Sequence, residues 1–301
     1  MKEILYITAI YTGTIIGAGF ATGKEIQQFF SNPLGIGIAF LVFLVINCRL
    51  FICINKNNIY TYEDLLENKC SVIKKPVKIL SAVFSLLSYG VMCSGAGEAL
   101  GFKGGGIVFS VICCVIFMFE LKGITYLNII ATPLIVTGIT LIGAVKISTF
   151  ANTTFSSVKY CAYNTLCCLP VIPSLNHYIK NSKNAVVSAV VSTCTISFLI
   201  FIVYFSLPEY ICNLPLLETA KAVGLTYFYY PALILAMLTT AVSSGYGYIC
   251  CFENKKNSCI AVLFICSLIM QTIDFGVLVK YVFDFFGMVS IGILYFLLKK
   301  S

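Results

Sequence analysis

The chain is a succession of apolar runs separated by short polar or Gly/Pro-marked gaps. A helix needs about 20 apolar residues to cross the hydrocarbon of a bilayer. The runs predict ten such helices, near 4–30, 33–54, 77–101, 104–120, 123–147, 157–179, 184–206, 229–252, 258–274 and 275–298. Two gaps carry more. Within the polar loop from Asn55 to Pro76, Tyr60 to Asn68 predicts a short interfacial helix with Thr61 as its cap and Asp64 at its third position. The loop from Pro208 to Thr226 is placed to cap a vestibule.

Irregularities inside the runs are paired. Span one holds Gly13, Gly17 and Gly19, each about 1 kcal/mol less helix-forming than alanine. Span six holds Pro170 and Pro173, which lack the N–H a helix needs. Ser94-Gly95-Ala96-Gly97 in span three and Ser244-Gly245-Tyr246-Gly247 in span eight lie at the same offset as these two breaks. An odd number of spans separates the members of each pair. The pattern therefore predicts an inverted repeat within one transmembrane domain, its halves at about 4–147 and 157–298. Interrupted backbone persists at membrane depth only where protein or a water-filled cavity satisfies it, so two facing breaks predict a polar pocket. Gly95 and Gly97 are read as packing residues.

Composition agrees: 59% of the 301 residues are hydrophobic and 11% charged, against about 25% charged in a soluble domain. The net charge of +8 is spread over short gaps and is not read as a nucleic-acid surface. With the N-terminus inside, fourteen of the 20 Lys and Arg fall on the cytoplasmic side, among them Lys2, Arg49, Lys74, Lys180, Lys299 and Lys300. The six on the other side are Lys24, Lys103, Lys146, Lys159, Lys221 and Lys280. Both termini are expected in the cytoplasm of a bacterial plasma-membrane protein. The 15 cysteines, mostly inside apolar runs, read as small packing residues, and the one histidine, His177, as a helix-end residue. No metal motif and no enzyme constellation is present: a metalloprotease would need paired histidines, and no base accompanies the serines.

The stretch Gly13-Thr14-Ile15-Ile16-Gly17-Ala18-Gly19-Phe20-Ala21-Thr22-Gly23-Lys24-Glu25 resembles the first helix of the YkvI-like bacterial membrane proteins, and the similarity runs along the chain. That family in turn resembles transporters of the LeuT fold in the amino acid–polyamine–organocation superfamily. The resemblance implies a 5+5 inverted repeat, broken helices one and six, and alternating access. Carried over by position, it implies that the carbonyls of Gly13 and Ile16, with Thr239, Thr240 and Ser243, hold a coupling cation such as Na+. It implies that the amides of Gly17, Ala18 and Gly19 face a substrate carboxylate. Span six reads Asn164-Thr165-Leu166-Cys167-Cys168-Leu169-Pro170, a departure from the Gly-rich break of better-known transporters. Asn164 and Thr165 beside that break, and Tyr89 in mid-span three, complete the substrate-site candidates. Intramembrane charges are functional candidates because they are costly. Lys24 paired with Asp284 is expected to form an outer gate, with Glu98 nearby, while Lys24, Glu25 and Glu98 also suit residues reaching the outer interface. The function expected is secondary transport of a small amino acid or related solute, driven by Na+ or H+, with lipid and a small solute as partners and no cofactor. A membrane binding or sensor protein on the same fold is the alternative.

Overall fold

The computed structural model describes residues 2–30, 32–102, 104–118, 120–143, 155–208, 210–252 and 255–298, with the backbone alone at Ala18, 120–129, Gly143 and Phe155. Lys103, Lys146, Lys299, Lys300 and the end of the first expected repeat lie outside these residues, as do the side chains of Lys122 and Ala18.

The described residues form helices and the turns between them. In chain order these are α1 (Lys2–Ile15), α2 (Ala18–Thr22), α3 (Lys24–Phe29), α4 (Pro33–Lys56), α5 (Tyr62–Cys70), α6 (Lys74–Leu100), α7 (Gly105–Met118) and α8 (Glu120–Gly143). They continue as α9 (Phe155–Cys168), α10 (Ser182–Ser206), α11 (Pro215–Ala222), α12 (Thr226–Cys250), α13 (Lys256–Met270), α14 (Phe275–Leu278) and α15 (Asp284–Leu298). A 3-10 segment follows α9 at Ile172–His177, and a π-helical turn, Val279–Phe283, joins α14 to α15.

Local chemistry sets the helix starts. Asn32 caps α4 by accepting from the Gly35 amide at 2.9 Å, with Pro33 in the first turn. Asn181 caps α10 in the same way, through the Asn184 amide at 2.8 Å. Thr61 caps α5 through the Asp64 amide at 3.2 Å, the cap its sequence predicts, with the helix itself running two residues beyond the expected Asn68. Gly101 ends α6 in the left-handed conformation, φ 70°.

Among the described residues, five helical stretches are long and apolar enough to cross a membrane: Pro33–Lys56, Tyr62–Leu100, Ser182–Ser206, Thr226–Cys250 and Phe275–Leu298. In the second, charged first turns precede the apolar part. Gly105–Met118, Ile130–Ile142 and Lys256–Met270 are apolar but shorter. The first expected span is divided into α1, α2 and α3, and the sixth into α9 and the 3-10 segment.

The outer faces of the helices are apolar, with Leu41, Phe198, Phe201 and Ile265 all exposed, while much of the polar side-chain chemistry lies inside. That inversion suits a lipid surround, where exposed apolar surface carries no penalty. The second half of α1 is buried, packed among α8, α9, α10 and α12. Tyr11 of α1 donates to Asn47 Oδ1 of α4, and Asn47 Nδ2 donates to Thr193 Oγ1 of α10 at 3.0 Å, a buried polar chain across three helices.

Contacts divide the molecule into two ends. At one, Lys180 pairs with Glu3, Asn55 Nδ2 of α4 donates to the neighbouring Ile179 carbonyl at 3.1 Å, and Arg49 of α4 donates to the Leu298 carbonyl at 2.6 Å, so the first described helix starts near where the last one ends. At the other, Lys24 Nζ donates to the Cys212 carbonyl at 2.8 Å and Gln28 Nε2 to the Lys280 carbonyl at 3.2 Å.

Candidate functional site

The backbone of the first expected span stops being helical at Ile16. The Ile16 amide still bonds to Thr12, but the Gly17 amide turns to the Ile15 carbonyl at 2.8 Å. Gly13's carbonyl therefore does not receive the Gly17 amide that a continuous helix would supply. Gly17 is extended, φ −95° and ψ −172°, and α2 restarts beyond it. The second interruption follows α9. Pro170 and Pro173 cannot donate, and Val171 and Ser174 bond three residues back instead of four.

α12 holds the first interruption from the side. Thr240 Oγ1 donates to the freed Ile16 carbonyl at 3.1 Å, and Tyr229 OH donates to Ala21 O near the end of α2. This approach needs glycine: a Cβ at Gly17 would lie 2.9 Å from Thr240 Cγ2.

The first interruption and the last turns of α9, just ahead of the second, border one cavity. It measures about 10 Å³, and its wall includes Gly17, Glu25, Asn164, Cys167, Thr240 and Phe283. That is the space of about one water. The π-helical turn ends at Phe283, which stacks on Tyr163 with ring centroids 5.1 Å apart.

The implied substrate residues divide. Gly17 and Asn164 line the cavity. Gly19 backs onto Glu25, Asn164 Nδ2 bonds to the Tyr160 carbonyl at 3.0 Å, and Thr165 Oγ1 turns back to Cys161 O at 2.8 Å. Tyr89 faces elsewhere, its hydroxyl 2.8 Å from Ser110 Oγ, which is itself 2.8 Å from Ser267 Oγ. Of the implied cation residues, Thr240 joins Ile16, whereas Thr239 Oγ1 bonds within its own helix to Ala236 O at 3.0 Å. Ser243 Oγ is buried with no hydrogen-bond partner among the described residues. Gly95 and Gly97 are packing positions, against the Phe275 ring and the Gly106 backbone.

The Lys24–Asp284 pair does not form. Asp284 pairs with Lys159 of α9 at 2.8 Å, because α15 lies along α9. Lys24 instead reaches the loop after α10, at Cys212. That loop is tied down at several points: Gln27 Nε2 donates to Tyr210 O at 2.9 Å, and Asn213 Nδ2 to Glu98 Oε1 at 2.9 Å and Asp274 Oδ2 at 2.8 Å. It crosses one end of the bundle beside a wider polar cleft of about 350 Å³ walled by Glu98, Gln271 and Asp274.

Sequence reasoning misplaced Glu25. It is 3% exposed, and Tyr163 OH donates to its Oε2 at 2.7 Å. Its position at the end of an apolar run suggested an interface. The left-handed Gly23, φ 81°, turns the chain between α2 and α3 and sends Glu25 inward onto α9. The glycine ahead of the Lys-Glu pair was the available signal.

No protein-family model matches the chain. It is 23% identical to the uncharacterised protein YyaD of Bacillus subtilis (strain 168) over 328 residues, 99% of this chain and 96% of YyaD. It is 24% identical to the uncharacterised membrane protein YkvI of the same organism over 331 residues, 97% and 94% of the two chains. Among solved structures it matches Mhp1, a nucleobase-cation-symport-1 family transporter, in a closed conformation with bromovinylhydantoin bound. That match has a TM-score of 0.66 at 12% identity, over 95% of this chain and 74% of Mhp1. A Na+-coupled sialic acid symporter, substrate-bound and outward-open, matches with a TM-score of 0.65 at 14% identity, over 95% and 75%. These neighbours are membrane transporters and not enzymes. The chain is thus a multi-pass membrane protein with a LeuT-like transporter fold, similar along its whole length to YyaD and YkvI.

Proposed function

We propose that the protein is a secondary transporter that moves a small amino acid or related solute across the bacterial plasma membrane by alternating access, coupled to a cation, Na+ or H+. The observation that carries this reading is a buried cavity bordered by the first helix interruption and by the last turns of α9 ahead of the second, with α12 bonded to the first. Interruptions at membrane depth expose amides that favour anionic groups and carbonyls that favour cations. The folds of a nucleobase-cation symporter and a Na+-coupled sialic acid symporter support the mode of action.

In this reading the ten apolar runs form a 5+5 inverted repeat with both termini cytoplasmic, and α1–α3 and α9 with its 3-10 segment are the broken first and sixth spans. The amides at Gly17, Ala18 and Gly19, with Asn164 and Thr165, receive the solute. A Na+ ion would be held by the Gly13 and Ile16 carbonyls with Thr239, Thr240 and Ser243. The freed Gly13 carbonyl and the unpartnered Ser243 hydroxyl suit that hard cation. The gate is Lys24 with the Cys212–Asn213 loop and Glu98, with the Lys159–Asp284 pair alongside.

The cavity holds about one water, so this is a closed conformation and solute enters only when the walls part. Uptake of radiolabelled amino acids into proteoliposomes, under an inward Na+ or proton gradient and with neither, tests the function. Concentrative uptake under one gradient is expected. No uptake of any amino acid under either would overturn the reading.

A further inference from the structure

Glu25 is a buried carboxyl that the implied cation and solute sites leave unused. It lines the cavity beside Gly17, Asn164 and Thr240. Gly19 is glycine at a place where a Cβ would fall on the Glu25 carboxyl, so the first interruption and this side chain are packed as one unit. We propose, resting on the transporter reading above, that Glu25 is the site of the coupling proton, taken up from water on one side of the membrane and released on the other during solute transfer.

Three observations lead there. An ionised carboxylate shut inside a bundle needs a positive partner or a proton. Among the described residues the groups around Glu25 do not supply a cation. α9 presents Tyr160, Tyr163 and Cys167, with Lys159 of the same helix committed to Asp284. On α3 itself Lys24 is committed to the Cys212 carbonyl, and the end of α10 that meets Gly23 carries Tyr204. Lys280 of the π-helical turn is exposed, its ammonium 5.5 Å from the centre of the Tyr281 ring. Tyr163, the one hydrogen-bond partner shown for the carboxyl, is neutral in ordinary conditions.

The cavity size then selects among cations. In about 10 Å³ there is no room for an amine-bearing solute beside Glu25 in this conformation, and Na+ would need several oxygens around it. A proton needs no volume. It adds to a carboxylate oxygen as O–H, leaves Tyr163 in place, and departs to water when the cavity opens to the other face.

The position also supplies the coupling. A negative solute group at the Gly17–Gly19 amides would lie next to Glu25, and two negative groups so placed repel. Protonation of Glu25 removes that repulsion. Proton and anionic solute group then each favour the other's binding, which is what obliges them to travel together.

Infrared difference spectra of the purified protein, taken across a pH series, read the carboxylic-acid C=O stretch directly. A band is expected that disappears in Glu25→Gln and moves in Tyr163→Phe, with both variants monodisperse by size exclusion. No band assignable to Glu25 at neutral pH would overturn the proposal, whatever the transport result. In proteoliposomes, an inward gradient of one pH unit is worth about a tenfold concentration ratio at one proton per solute. Wild type is expected to approach that ratio for a transported amino acid, and Glu25→Gln to fall to about unity. Uptake driven by Na+ and indifferent to pH would sink the proton site and leave the transporter standing. The absence of uptake under every gradient would remove the transporter, and the infrared band would still report where the proton sits.

Discussion

Gly17 and Thr240 form a tight joint of the site, and each tests it differently. Gly17→Ala places a methyl 2.9 Å from Thr240 Cγ2 in a packed interior and is expected to cost about 1–3 kcal/mol, seen as a lower melting temperature in detergent. Thr240→Val keeps the shape and removes the hydroxyl, so the Ile16 carbonyl loses its partner. A loss of about 1–3 kcal/mol is expected there too, with a weaker response of uptake to the driving cation. Outside the spans, on α5, Glu63 is held by Lys74 and Lys78, and hydrogen bonds from these two ammonium groups keep its carboxyl below the usual carboxylate range. The stability it adds is present above the ordinary carboxylate value and fades as pH falls through its own lower one. Glu63→Gln is therefore expected to melt lower than wild type at neutral pH by no more than about 1 kcal/mol, with the two curves meeting in acid. At this scale the sequence marks Gly17, Thr240 and Asn164 through motif and position. It does not mark Glu25's direction, because the turn that aims it inward depends on Leu207 and Leu216 packing against Gly23.

Among the elements, the loop between α10 and α11 connects parts far apart in sequence. Asn213 bridges Glu98 of α6 and Asp274 at the start of α14, while Cys212 and Tyr210 hold α3. Asn213→Ala is expected to speed amide hydrogen exchange across 207–214 and leave α4 and α10 unchanged, at a cost of about 1 kcal/mol. An unchanged exchange rate in that loop would show that its clasp lies elsewhere. Interruptions were legible where the chemistry is local: two prolines in four residues stop a helix without help from neighbours. Pairings between elements were not. Which of Lys24, Lys159 and Asp284 touch depends on α15 lying against α9.

The whole molecule follows from hydropathy more completely than its details do. The contacts of Glu3 with Lys180, of Asn55 in α4 with the Ile179 carbonyl and of Arg49 in α4 with Leu298 bring the start of the first described helix and the end of the last to one end of the bundle. Tags on the two termini are therefore expected to share a side, both resisting protease added outside intact spheroplasts. Cleavage of one and not the other would mean an odd number of crossings. The cavity of about 10 Å³ bears on flux. In the proposed transport cycle, with no larger opening at this site among the described residues, every solute molecule waits for the helices to move apart and close again. Transport should then be slow, saturable and steeply dependent on temperature, and a bilayer holding the resting protein should stay electrically tight.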